Sequence, residues 1–200
     1  SDIRTIMRQF SKLKDEVSEA AIIIDSPHHE IHEGEAFTCH YVQTVSDTND
    51  RSIIAFKTAA STKYLHLTII VHASVEADAF IWEAPTITDN TGASLTVFNR
   101  RRVGTPKATT VIDTSTNPDT AGKAMFFTEA TMGNVTDGTQ LDHSTLIAGQ
   151  GPKAIGGDAR EEQEWIFKPN TLYAFEVKSL SDLDNAHSIE VNWYEHVSNV

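Results

Sequence analysis

The apolar period of this chain changes once, near Pro27, from about 3.5 residues to two, and no other feature of the sequence limits its fold as much. Ahead of the change, Ile3, Ile6, Phe10, Leu13, Val17, Ala20 and Ile24 recur at alternating intervals of three and four. That spacing sets all of them on one stripe of a helix, the a and d positions of a heptad repeat. No Pro or Gly interrupts the stretch, and Ser1 or Asp2 can cap its start. A helical arm is therefore expected over residues 1–24, continuous at least to about Ser18. Two partners for the stripe remain open. One is a parallel coiled coil of identical chains, a trimer, with Ile3, Ile6, Phe10, Leu13 and Val17 as the oligomerisation residues. The other is a single helix laid on its own domain or on another protein. The repeat is only about three heptads long, and its flanking positions Met7, Lys14, Ala21, Gln9, Glu16 and Ile23 carry little charge.

Beyond Pro27 the pattern is that of strands. Phe37, Cys39 and Tyr41 alternate with Thr38, His40 and Val42, and Ser52–Thr58, Lys63–His72 and Val75–Glu83 are rich in β-branched and aromatic residues. Tyr64–His72 is long enough for a central strand. Further strands are predicted at Ser94–Arg100, Thr109–Asp113, Ala124–Glu129, Glu164–Lys168, Leu172–Ser179 and Ser188–Tyr194. Asp47–Asp50, Asp89–Gly92, Asn117–Asp119 and Asn170–Thr171 supply turn chemistry between them. About ten short strands with no amphipathic helix after residue 24 predict an all-β fold over residues 25–200, a jelly-roll-like β-sandwich behind an N-terminal α-helix. Strand order does not follow from spacing. The stretch Gly133–Asp158 is glycine-rich and poor in aromatics, and reads as a long exposed excursion.

Charge narrows the partners. With 16 basic and 28 acidic residues the formal net charge is -12, which repels phosphate backbones and anionic membranes, so neither nucleic acid nor membrane is an expected partner. Arg100, Arg101 and Arg102 form a short cluster of opposite sign, read as surface charges that meet acidic neighbours. The single cysteine, Cys39, excludes an intrachain disulfide framework and reads as a reduced core residue. Asp2, Arg4 and Arg8 break up any leader-like apolar run, so no signal peptide is expected.

Reactive constellations are scarce. In His28-His-Glu-Ile-His-Glu33 a strand would project His28, Glu30 and His32 on one side, the ligand types of a facial iron or zinc site. The cupin pattern needs an H-x-H pair, which occurs nowhere in the chain, so the segment is read as a solvated edge strand and no metal is expected. His66 and His72 share strand parity and read as satisfied core or interface residues. The chain has no G-x-S-x-G elbow, phosphate loop or dinucleotide fingerprint, and Asp47, Asn49 and Asp50 lack the glycine and distal glutamate of a calcium loop. No catalytic residue and no cofactor are expected, and the chain is not read as an enzyme.

Four segments taken in order resemble a known set: His32-Glu-Gly-Glu-Ala-Phe37, Thr96-Val-Phe-Asn-Arg-Arg-Arg102, Arg160-Glu-Glu-Gln-Glu-Trp-Ile-Phe-Lys-Pro-Asn-Thr-Leu-Tyr-Ala-Phe175 and Val191-Asn-Trp-Tyr-Glu-His196. Their order is similar to that in tailed-bacteriophage virion proteins of the capsid decoration or cement type. The resemblance spans about residues 28–196. It implies a jelly-roll sandwich made in the host cytoplasm and carried on the capsid surface, a homotrimer that stabilises the shell by bridging subunits of the major capsid protein. It assigns no contact residues, because the motifs look structural: Trp165, Phe167, Tyr173, Phe175 and Val177 alternate as paired core strands around a Lys168–Thr171 turn. A receptor- or carbohydrate-binding module of a phage tail or fibre is the alternative, and exposed aromatic residues would favour it.

Overall fold

A computed structural model describes residues 26–87, 93–112, 125–128, 137–147 and 164–197. The predicted arm over 1–24, with Ile3, Ile6, Phe10, Leu13 and Val17, lies outside the described residues, as do 133–136 and 148–158 of the predicted excursion. The described chain forms one short helix, α1 (Ser26–Glu33), and eleven strands: β1 (Ala36–Val45), β2 (Arg51–Lys57), β3 (Lys63–Ala73), β4 (Ala77–Glu83), β5 (Ala93–Ser94), β6 (Phe98–Asn99), β7 (Met125–Thr128), β8 (Thr139–Leu146), β9 (Trp165–Phe167), β10 (Leu172–Ser179) and β11 (Asn185–Val197). They make an all-β sandwich of two antiparallel sheets, ordered β6-β1-β11-β3-β9 and β5-β7-β2-β10-β4-β8.

The long strands pair in a nested series. β1 pairs with β11, β2 with β10, β3 with β9 and β4 with β8. The chain is thus one long antiparallel hairpin that has been folded over, and the fold is sealed where β11 meets β3 and β10 meets β4. Alternation decides which side chains enter. Phe37, Cys39, Leu65, Leu67, Ile69, Ile189, Val191 and Trp193 point inward from one sheet and meet Ile54, Phe56, Ile81, Tyr173, Phe175 and Val177 from the other. Phe56 stands among three rings, its centroid 5.3–6.1 Å from those of Phe167, Tyr173 and Phe175. Burying an aromatic or aliphatic side chain of this size stabilises by about 1.5–3 kcal/mol. Cys39 sits in this core, 1% exposed, as its pattern predicts.

Several elements differ from expectation, each for a local reason. His28–Glu33 is helix, not an edge strand. Pro27 falls in the first turn, where its missing N–H costs nothing. Gly34 ends the helix at φ +78°: its N–H bonds Ile31 O at 3.1 Å and the Glu35 N–H bonds Glu30 O at 2.9 Å, a Schellman cap. The predicted excursion contains β8, an edge strand beside β4 whose only fully buried residue is Leu146. Gly138 allows its approach, since a Cβ there would lie 2.6 Å from Glu83 O. Ser94–Arg100 is not one strand: it splits between β5 and β6, which belong to different sheets. Among the described residues of Thr109–Asp113 there is a single bridge, Thr58 to Ile112, because Val111 and Ile112 are buried side by side without alternation. Finally, β9 and β10 do flank a turn, with Asn170 at φ 51°, but they do not pair; the chain crosses there from one sheet to the other.

Candidate functional site

The side chains that leave the core alternate with those that enter it, so each sheet has an outer face. On the five-stranded sheet this face carries the even-numbered residues of β1, β3 and β11. Register aligns them in rows: His40 with Glu190 and Ile70, Val42 with Ser188 and His72, and Thr38 with Asn192 and Thr68. His66 and His72 therefore share a face, as their parity requires. At the edge, Phe98 of β6 stacks on His40, centroids 6.4 Å apart and planes 15° apart. Val42, Phe98, Tyr64 and Ile166 are all exposed on this side. α1 covers one end, packing on β1 and β11.

Beside β9 the face draws its polar groups together. Glu164 Oε2 accepts a hydrogen bond from Tyr194 Oη at 2.9 Å and lies 3.1 Å from His66 Nδ1. The His66 ring stacks on Tyr194 with centroids 4.7 Å apart, and the His196 ring meets it edge-on at 4.3 Å. A cavity of about 20 Å³ opens between these groups and Thr68, Arg100 and Asn192. That volume suits a water molecule and not a substrate. Burial, reinforced by the Glu164 hydrogen bond and charge, pushes the Tyr194 phenol above its usual range, so it stays protonated and is no base.

Other constellations also resolve into structure. Ser52 Oγ lies 2.9 Å from His187 Nδ1, but both residues are sealed between the sheets. Burial lowers the His187 pKa to about 4, and its Nε2 has no hydrogen-bond partner among the described residues. Burial likewise pushes the Cys39 thiol up to about 12, far from a reactive thiolate. Glu195 is buried and held by the hydroxyls of Thr109 and Thr110, the Thr110 N–H at 2.9 Å and Trp193 Nε1 at 3.4 Å. Asn99 ties β6 to the helix exit, donating to Gly34 O at 2.7 Å and accepting from the Arg101 N–H at 2.8 Å.

The motif His28–Glu33 projects differently from a strand. His28 and His32 come together on the exposed side of α1, whereas Glu30 is half-buried and turns away. Among the described residues, no group of three or more His, Cys, Asp or Glu side chains is arranged to hold a metal ion. None of the described helices is long and apolar enough to cross a membrane. The His66–Tyr194–Glu164 cluster was not legible in sequence: it depends on β11 and β9 both lying beside β3, which parity within one strand does not encode. No family model matches the chain, and no curated protein does.

Proposed function

We propose that the protein is a capsid decoration or cement protein of a tailed bacteriophage, a jelly-roll trimer that binds the outer surface of the head and bridges major capsid protein subunits. The observation that carries this reading is the nested pairing of eight strands into the runs β1-β11-β3-β9 and β2-β10-β4-β8. Nested pairing of this kind supports the jelly-roll reading, an architecture that recurs in viral shells. The four sequence segments that resemble virion proteins lie on it as structural parts: the α1 exit, β6, the β9–β10 crossing and β11. A cement protein acts through area and shape, and the exposed face of the five-stranded sheet offers apolar and polar side chains in alternation for such contact. Residues 1–24 serve in this reading as the oligomerisation or attachment arm, and repeated contacts from a trimer raise avidity without a strong single site.

The runner-up, a receptor- or carbohydrate-binding module, draws support from the exposed Phe98–His40 stack. It loses its tryptophans, since Trp82 and Trp193 are buried and Trp165 packs on the core. The deciding experiment is the solution mass of the full chain followed by co-sedimentation with heads that lack it. A trimer that pellets at saturable stoichiometry supports decoration. Protein that stays in the supernatant at every concentration overturns it, and a glycan array then tests the runner-up. Removing residues 1–24 should weaken trimerisation, head attachment or both; unchanged mass and binding would take the arm out of the proposal.

A further inference from the structure

We propose that His28 and His32 form a chelating site for a divalent transition-metal ion that prefers right-angle coordination, Cu2+ or Ni2+. The two residues stand four apart on α1, one turn above each other. Their Nε2 atoms are 2.9 Å apart, with ring centroids separated by 4.8 Å and planes tilted by 34°. Both are exposed, on the side of α1 opposite the half-buried Glu30.

The separation selects the geometry. Two nitrogens at about 2.0–2.1 Å from a metal lie about 2.9 Å apart at a right angle and about 3.4 Å apart in a tetrahedron. The pair therefore already has the bite of adjacent corners in a square-planar or tetragonal site, the arrangement favoured by Cu2+ and Ni2+ over Zn2+. Little reorganisation is needed. One ring donates its Nε2–H to the other in the free protein; on binding, that ring moves its proton to Nδ1 and both Nε2 lone pairs turn to the ion. The helix is anchored at its far end by the Gly34 cap, which fixes the turn that carries His32. Among the described residues no third His, Cys, Asp or Glu side chain converges there, which leaves coordination positions for water. The ion is consequently exchangeable, and the acid charge of the chain raises its local concentration. Protonation competes with the metal, so binding weakens in acid.

The test uses the full chain without an affinity tag, titrated with CuCl2 by calorimetry and followed by electron paramagnetic resonance. The expected result is one tight equivalent of Cu2+ per chain with hyperfine structure from two equatorial nitrogens. His28→Ala and His32→Ala should each weaken it by about tenfold or more, since losing one arm of a chelate removes the effective concentration of the other. His29→Ala, on the neighbouring exposed position, should leave it unchanged, and ZnCl2 should bind more weakly than CuCl2. Circular dichroism of each variant separates loss of binding from loss of fold. Copper binding that survives both single substitutions, or that falls equally in His29→Ala, overturns the assignment. So does a parent chain that binds no more copper than the His28→Ala/His32→Ala double variant.

Discussion

The two sheets alternate in the same manner, yet their outer faces have opposite fates. On the six-stranded sheet the outward residues Ile53, Ala55, Trp82 and Ala174 are buried, with Ile87 packed over them and Phe80 and Leu172 at the margin. In their midst Glu176, 2% exposed, meets the Arg51 Nε at 3.1 Å and accepts a hydrogen bond from Trp82 Nε1 at 2.8 Å. Burial raises the Glu176 pKa and outweighs the lowering by Arg51 and Trp82. On the five-stranded sheet the outward His40 and Val42 are exposed, and Ser188, Glu190 and Asn192 are half-buried. Alternation therefore says which side chains leave the core, but the cover that Ile87 helps to form says which of them stay wet. The closed face carries stability, and among the described residues the open face is left uncovered.

Substitutions can break this contrast. Arg51→Ala should cost about 3–5 kcal/mol, because it strands a buried carboxylate, whereas Glu190→Ala on the open face should change stability by less than about 0.5 kcal/mol. Urea midpoints measured at pH 7 decide it, and equal losses would erase the distinction between faces. Because the folded pKa of Glu176 lies above its unfolded value, the folded state takes up this proton first. The Arg51→Ala deficit should then narrow as pH falls towards the unfolded carboxylate range.

Between the faces lies His187, whose folded pKa of about 4 sits below the ordinary 6.5. The unfolded chain takes up that proton first, so the contribution is whole above pH 6.5 and is lost as pH falls towards 4. The loss should reach about 3 kcal/mol, and His187→Asn should flatten that slope in a series of unfolding curves. Tyr194→Phe removes the hydrogen bond to Glu164 and should cost about 1 kcal/mol, read as a modest drop in Tm. The smallest stability change belongs to Val42→Asp, at a residue 62% exposed, within about 0.5 kcal/mol. If the open face is the one that meets the capsid, this nearly silent variant should nonetheless lose head binding in co-sedimentation.

Alternation made the core of β1, β3, β10 and β11 legible before any coordinates: Phe37, Cys39, Leu65, Leu67, Tyr173, Phe175 and Val177 all point as their parity demands. It failed where side chains are polar on both sides. β8, Thr-Gln-Leu-Asp-His-Ser-Thr-Leu, is an edge strand held by backbone pairing with β4, and its composition carries no face. The Ser26-Pro27 start and Gly34 stop of α1 were present in the sequence as helix punctuation. Between them His28–Glu33 holds a single apolar residue, Ile31, so no alternation of apolar and polar side chains argued for a strand against that punctuation. The cluster around Glu164 was illegible for another reason: it depends on β9 lying next to β3, and spacing along the chain does not encode which strands become neighbours.

That the first and last of the described strands are partners has a consequence in time. During synthesis β1 emerges before the other described strands, but the neighbour that completes most of its ladder, β11, emerges after all of them. Until then one long row of backbone donors and acceptors on β1 has no strand to bind, and such an edge recruits whatever strand is nearest. Contacts this distant in sequence also make folding slow. Crowded chains on a polysome would each hold this unfinished edge open for the whole transit of the ribosome from β2 to β11, a window in which a chaperone competes with aggregation.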